Sequence, residues 1–557
     1  MNKSFGKIRK DPRLLITASI ITLLLILFIL YPLYSAFKMS ITGDGGISFS
    51  VYREVFTQKQ NIRAISNSLV LATLTATFST FIGFTFAYSI HRAIIPGQKY
   101  FRAMAILPLI SPPFMFALSH ILLFGRNGLI TARLLGIDSL GIYGLNGLVV
   151  VQTMGMFPLS YLILSGIVRA VDPDLELSAM NLGARRLRVF RTITLPLTLP
   201  GLLASWLMVF MGSLTDFGNP IIIGGDFNVL SVQAYLEFTG MGNLPRGTAL
   251  AILLLLPTLF IFTLQKQILK RRSYVSASGK SVRNSRGLGT PGISRALFIF
   301  CLMITVFILL IYITIIAGSF ITLWGEDWSF TLKHLSYSYD VGFKTLINTL
   351  LLALISTPIT AAMGILIAFL ATNKDLPGRK ILEFLSLLSY AIPGTVVGIG
   401  YVLAFNRSPF KLSGTAFILI AVYVFRNLPI TVEGGIAALS QVSGEIEESA
   451  ANLGGNSAYI LRRVTLPMIR PAFFAGATYA FIRSMTAISA IIFLISARWN
   501  HMSVLILAQT EIMRLGVASV MSFVLIILIS IIIFLGSQMT KLKGTGLPAS
   551  LKQLKAY

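Results

Sequence analysis

Apolar runs of about twenty residues recur along the chain, separated by short segments that hold nearly all of its charge. A helix of roughly 20 residues spans the ~30 Å hydrocarbon core of a bilayer, and inside that core only helices and closed barrels satisfy their own backbone. Windows of this kind predict twelve helices, at about 14–36, 64–90, 101–124, 146–168, 201–223, 247–268, 296–320, 345–371, 381–405, 413–437, 472–496 and 515–538. The fold class that follows is an all-α polytopic membrane protein. One stretch, 269–294, is basic, rich in Ser and Gly and without an apolar face; it reads as a flexible linker. Residues 541–557 read as a basic tail.

Composition strengthens this picture. The 557 residues are 55% apolar and 12% charged, against roughly 25% charged in a typical soluble domain. A string of water-soluble domains is excluded. The net charge of +26 in a soluble protein would point to nucleic acid. Here a topological cause is sufficient, because cytoplasmic loops of membrane proteins collect Lys and Arg. With the N-terminus inside, the inner segments hold 31 Lys and Arg and the outer loops 13, while acidic residues divide 9 and 9. Both termini are then cytoplasmic, and no nucleic-acid partner is expected. The basic N-terminus followed by an apolar run looks like a signal peptide, but the run is too long and has no clear small-residue cleavage site. It is expected to stay as the first span. The single Cys301 supplies neither a disulfide nor a zinc or iron–sulfur set.

The second half of the chain repeats the first. NSLVLATLTATFSTFIGFTFAY from Asn67 matches NTLLLALISTPITAAMGILIAF from Asn348, and Gly83, Ala87, Pro96-Gly97 and Pro112 match Gly364, Ala368, Pro377-Gly378 and Pro393 at an offset of 281. Further on, ELSAMNLGARRLRVFRTITLPLTLP (176–200) matches EESAANLGGNSAYILRRVTLPMIRP (447–471) at an offset of 271. The ten extra residues of the first half fall in an outer loop near 127–147. Six spans per half is an even number, so both halves face the same way, as a parallel repeat about an axis along the membrane normal. The expected organisation is a first repeat over 1–268 with its hairpin at 172–196, the linker 269–294, a second repeat over 295–540 with its hairpin at 443–467, and the tail.

The paired segment between the fourth and fifth spans of each half is too long and too patterned for a simple connection. In the second copy Glu445, Glu447 and Glu448 open a helix, where acids suit the positive end of its dipole. Gly454 can end it in a left-handed turn. A second short helix follows (Tyr459, Ile460, Leu461, Val464), broken by Leu466-Pro467. The first copy repeats this with Glu176, Ala179, Leu182, Gly183, Leu187, Ile193 and Leu195-Pro196. The pattern describes a helix–turn–helix on the cytoplasmic face that either presents apolar knobs to a partner or packs on its own chain.

Both copies resemble the EAA signature of the permease subunits of binding-protein-dependent ATP-binding-cassette importers. That signature runs Glu-Ala-Ala, three residues, Gly, nine residues, Ile, one residue, Leu-Pro. Glu448, Ser449, Ala450, Gly454, Val464, Leu466 and Pro467 occupy its positions in the second copy, and Leu177, Ser178, Ala179, Gly183, Ile193, Leu195 and Pro196 in the first. The first copy departs at the acidic position, where Leu177 stands and Glu176 comes one residue early. The resemblance covers nearly the whole chain as two fused permease domains and implies the type I importer fold in a bacterial cytoplasmic (inner) membrane. It also implies that each hairpin docks on one of two separate ATPase subunits, and that an external solute-binding protein delivers the cargo. The chain has no GxxxxGK[ST] phosphate loop. ATP and Mg would sit on the partner ATPases, and the chain itself is expected to need no cofactor or resident metal and not to be an enzyme.

Four ionisable residues fall within predicted spans: Asp216, Arg426, Glu433 and Arg483. Intramembrane charges are costly and generally face a cavity or a partner. They are candidates for a translocation path, with Asn219, Ser484, Thr486 and Ser489 as polar lining. Structural ion pairs are the alternative, and Arg426 and Glu433 lie two turns apart on one helix face. The stretches 216–235 and 483–500 resemble the ferric-iron permease subfamily. Related permeases import aminoethylphosphonate, sugar phosphates, polyamines or thiamine. Two embedded arginines suit an anion, or ferric ion carried with anionic ligands. A secondary transporter of two parallel six-span halves explains the spans and the linker, but not the paired hairpins.

Overall fold

The computed structural model describes residues 12–43, 46–93, 95–137, 141–271, 291–372, 376–408, 411–442, 444–454 and 457–541. Most of the expected linker and the basic tail lie outside the described residues.

The first half is built from α1 (Leu14–Ser40), α2 (Lys59–His91), α3 (Pro113–Phe124), α4 (Leu145–Ala170), the hairpin helix α5 (Pro173–Asn181), α6 (Leu195–Leu214) and α7 (Leu244–Arg271). The second half follows the same order: α8 (Pro291–Phe320), α9 (Lys333–Thr372), α10 (Arg379–Ala391), α11 (Gly394–Phe405), α12 (Ala416–Leu439), the hairpin helix α13 (Gly444–Asn452), α14 (Arg470–Met485) and α15 (Leu515–Lys541). Two antiparallel ribbons lie at the end opposite the hairpins, β1 (Thr42–Gly43) with β2 (Gly46–Ile47) and β3 (Ile321–Leu323) with β4 (Asp327–Phe330). Helix α7 runs to Arg271 and α8 begins at Pro291, so helix takes up both ends of the stretch expected as linker.

Among the described residues, ten helices are long and apolar enough to cross a membrane, or eleven when α10 and α11 count as one span bent by 110°. Each of the twelve apolar windows contains helix, but four of them are not single straight helices. Window 101–124 breaks at Ser111-Pro112, and window 381–405 breaks at the equivalent Ile392-Pro393. Proline removes a donor and excludes helix from the residue before it. Window 201–223 ends as a helix at Leu214, and window 472–496 ends at Met485, the same position one offset of 271 later. After each break the chain re-enters as short turns buried among other helices. Such segments are as apolar as a true span, so hydropathy cannot separate the two.

The duplication is visible atom by atom. Helices α2 and α4 cross at Gly83, where an added Cβ would lie 2.6 Å from Ser160 Oγ and 2.7 Å from the Tyr161 backbone nitrogen. Helices α9 and α12 cross at Gly364, where the Cβ would strike Thr431, the residue equivalent to Ser160. Asn67 Nδ2 donates to the Asn228 carbonyl at 2.9 Å, and Asn348 Nδ2 to the Arg498 carbonyl at 3.0 Å. Ser68 Oγ accepts from the Leu230 N–H at 2.7 Å, and Thr349 Oγ1 from the Met502 N–H at 2.8 Å. Pro158 and Pro429 sit inside α4 and α12 at matching places.

The halves exchange their first spans. Helix α1 packs on α11 of the second half: Tyr401 hydroxyl donates to the Phe28 carbonyl at 2.6 Å, and Phe28 stacks on Phe425 with ring centroids 4.8 Å apart. Helix α8 packs on α3 of the first half, with Tyr312 hydroxyl donating to the Leu107 carbonyl at 3.1 Å and Ser119 Oγ to the Ile311 carbonyl at 3.2 Å. This crossed arrangement binds the two repeats into one molecule.

Candidate coupling hairpins and translocation path

The hairpins form as their residue types require. Asp172 caps α5 by accepting from the Asp174 N–H at 2.9 Å, and Pro173 occupies the first turn, where its missing donor costs nothing. Helix α5 ends at Gly183, whose φ of +85° is the left-handed turn that glycine adopts without strain; Gly454 ends α13 at +89°. Just before each turn stands a leucine, Leu182 and Leu453, and both are 89% exposed. Leu175 and its equivalent Ile446 are exposed beside them, as is Leu187. Under these knuckles Ala179, Ile193, Leu195, Ala450, Val464 and Leu466 are half-buried, while Pro196 and Pro467 are exposed. Each of two equivalent glycine turns thus presents an exposed leucine at the same position.

Two expectations about the hairpins are revised. A π-helical turn precedes each Leu-Pro pair, at Phe190–Thr194 and Leu461–Thr465; the first pair does not break the chain, whereas the second is followed by a break at Ile469. The widened turn leaves Pro196 and Pro467 at helix starts, where no donor is missed. Helix α6 then runs on unbroken from Pro196 to Leu214.

The other revision concerns Glu176, which does not face outward. It is buried against the end of α2, with Oε2 3.4 Å from Arg92 Nη1, and Oε1 accepts from Thr194 Oγ1 at 2.5 Å. Arg92, also buried, donates to the Val168 carbonyl at 3.0 Å and to that of Val171. Glu176 therefore staples the first hairpin to its own bundle. The side chain of Glu448 lies outside the described residues. Arg92 had counted in the sequence as one more loop cation, and nothing in its local pattern marks it as buried.

The embedded charges divide between two sites. In the first half Asp216 is tied up locally. Its Oδ2 accepts from Gln152 Nε2 at 2.9 Å and Asn219 Nδ2 at 2.8 Å, and its Oδ1 from the Gly218 N–H at 3.1 Å. Gln152 Oε1 in turn accepts from Thr75 at 3.1 Å and Ser213 at 2.5 Å. This network holds the chain where α6 ends and turns back. Gln152 was missed by the sequence reading, although a lone amide in the run NGLVVVQTMGMF was a visible signal.

In the second half Arg426 donates to Ser489 Oγ at 3.2 Å, and both pack on Gly394 at the bend between α10 and α11, a place without room for a Cβ. Arg426 Nη1 is buried without a partner. Ser484 turns inward: its Oγ accepts from Asn427 Nδ2 at 3.2 Å, and its carbonyl accepts from His501 Nε2 at 3.1 Å. Thr486 bonds back to the Ile482 carbonyl of its own helix at 2.8 Å. These two serve the fold. Glu433 and Arg483 are exposed; Glu433 lies within electrostatic range of Tyr390, Lys266 and Glu383, and Arg483 within that of Tyr390 and Arg426. Among the described residues Arg426 and Glu433 make no ion pair within 4.0 Å. The charged cluster is contributed by α7, α10, α12 and α14.

The binding-protein-dependent transport system inner membrane component family matches the chain twice, over residues 80–274 and 361–542. The ferric transport system permease protein FbpB of Actinobacillus pleuropneumoniae is 34% identical over 526 residues, covering 92% of this chain and 76% of that protein. The Fe(3+)-transport system permease protein FbpB 2 of Haemophilus influenzae is 23% identical over 526 residues, covering 92% of this chain and 97% of that protein. Among solved structures, a bacterial ABC transporter involved in the import of the acidic polysaccharide alginate aligns at 20% identity with a TM-score of 0.41, over 47% of this chain and 98% of its own. With both family matches in one chain, each enclosing a hairpin of the same build, this protein belongs to the binding-protein-dependent transport system inner membrane components, as a multi-pass permease that fuses two copies of the domain.

Proposed function

We propose that the chain is the transmembrane permease subunit of an ATP-driven importer for ferric iron. The observation that carries the coupling half of this reading is the twin knuckle, Leu182 and Leu453, presented on left-handed glycine turns. Each hairpin docks on one cytoplasmic ATPase subunit, so the hairpin end of the molecule and both termini are cytoplasmic. A solute-binding protein docks at the opposite end. ATP-driven closure of the two ATPases draws the hairpins together, and differential binding to the closed and open motor shifts the spans between inward- and outward-facing states. ATP and Mg belong to those motor subunits. The chain acts as a conduit and not as an enzyme.

Ferric iron as cargo rests on the likeness, over 92% of this chain, to permeases named for it and on the charged cluster of the second half. That cluster is one-sided. Arg426 and Arg483 stand where the first half has Gly155 and Gly212, at the offset of 271 that also pairs Ser160 with Thr431. Ferric ion moves with anionic ligands, which arginines can escort through low dielectric without holding the metal. The test is uptake into proteoliposomes that contain the chain, its ATPases and its binding protein. Ferric salts should be taken up with ATP, while aminoethylphosphonate, hexose phosphates, polyamines and thiamine should not. Uptake without the ATPases would overturn the mechanism, and preference for any of the other solutes would overturn the substrate.

A further inference from the structure

At the end opposite the hairpins, the tips of α3, α8, α9 and α15 border an open cavity of about 700 Å³ that the transport reading does not use. Its cationic lining is Arg126, Lys333 and Arg514, one from each of three separate segments, and no carboxylate lines it among the described residues. None of the three has an ion-pair partner within 4.0 Å among the described residues. The guanidinium of Arg514 lies 4.7 Å over the Tyr337 ring and donates to its hydroxyl, which leaves most of its five N–H groups turned elsewhere.

The walls are fixed before any ligand arrives. Trp324 Nε1 donates to the Leu122 carbonyl at 2.7 Å, joining the β3–β4 turn to α3. His334 bonds the Ile321 carbonyl at 3.0 Å, and its ring lies where a Cβ on Gly516 would stand. Gly325 fits against Asn127, where a Cβ would come within 2.7 Å of the backbone oxygen. Beside Arg514 is Met513, the one non-glycine residue with positive φ, +60°, among those described. Such strain is held where the surroundings over-determine it.

We propose that this cavity binds a phosphate group, carried by an anionic lipid headgroup or free in solution. Three cations lining one concavity concentrate an anion, and the fork of an arginine matches phosphate oxygens in pairs. A lobe of a docked protein fits poorly, because a stable protein contact spreads over ~1,200 Å² or more of surface. A cavity of about 700 Å³ is the size of a small-molecule site. Ile121 and Val517 add apolar lining beside the cations, and Trp324 and Tyr337 add aromatic rings to the same wall.

The test uses the purified full-length chain and its R126Q/K333Q/R514Q variant. Native mass spectrometry follows titration with phosphatidylglycerol or phosphatidylcholine, and thermal unfolding is read with and without inorganic phosphate. The wild type should retain phosphatidylglycerol over phosphatidylcholine, or be stabilised by phosphate, and the variant should bind about tenfold or more weakly, the loss of at least one charge-assisted hydrogen bond. Selective lipid retention assigns the lipid source; stabilisation by phosphate alone assigns the free anion. Binding within about twofold of wild type in the variant would overturn the site. So would a variant that binds both anions normally but no longer engages the binding protein. Should the triple variant fail to insert, K333Q alone is read by quenching of tryptophan fluorescence with brominated lipids. Equal quenching by brominated phosphatidylglycerol and phosphatidylcholine in the wild type overturns the proposal, and selective quenching lost in K333Q upholds it.

Discussion

Arg92 and Glu176 are both within 4% of full burial and face each other in a bundle that offers few other polar groups. Taking one member away strands the other charge, which in buried pairs costs about 3–5 kcal/mol. Arg92→Met should therefore loosen the first hairpin and open 172–186 to protease, whereas the double variant R92M/E176L should recover most of the protection. Equal sensitivity of the single and double variants would show that the pair does not hold the hairpin. The sequence revealed that Glu176 begins a helix, since an acid behind Asp172-Pro173 has that local meaning. It did not reveal the direction of the side chain, because that depends on how α5 is rotated against the end of α2, eighty residues earlier in the chain. The same limit applies to Ser484 and Thr486, chosen as path lining for their polarity and found bonded within the bundle.

At the scale of elements, the hairpin turns were legible because glycine, leucine and proline act locally: Gly183 and Gly454 take the left-handed conformation that their position demands. The bent spans were not, since a buried re-entrant segment and a lipid-facing helix share one composition. Pro112 and Pro393 were the available signals for the third span of each half. Nothing as clear as a proline precedes the ends of α6 and α14, where the polar networks around Gln152 and Ser484 take over from the helix. The knuckles lend themselves to a clean experiment. Leu182→Asp and Leu453→Asp alter side chains that are 89% exposed, so thermal stability should change by no more than about 0.5 kcal/mol. Co-purification of the ATPase should nevertheless be lost, by about half for either single variant if each hairpin holds its own subunit. Full ATPase retention in the double variant would mean that the motor grips elsewhere.

For the whole molecule, duplication sets the frame and divergence sets the function. Gly83 with Ser160 and Gly364 with Thr431 are the same contact made twice, but Arg426 and Arg483 have glycines as counterparts. If cargo is read by one half against a smooth opposite wall, Arg483→Ala should lower uptake strongly while insertion and ATPase binding persist. Gly212→Arg in that background should restore part of the uptake, because the pseudo-twofold axis returns a cation to the same depth; loss of assembly in Arg483→Ala would instead make it a structural residue. The exchanged first spans carry a different consequence, one of time. Phe28 must wait for Tyr401, 373 residues later, and at about 5–20 residues per second the ribosome needs on the order of 20–75 seconds to deliver it. For that interval the newborn leading helix has lipid as its sole neighbour on that face, which sets a window in which membrane quality control can find it.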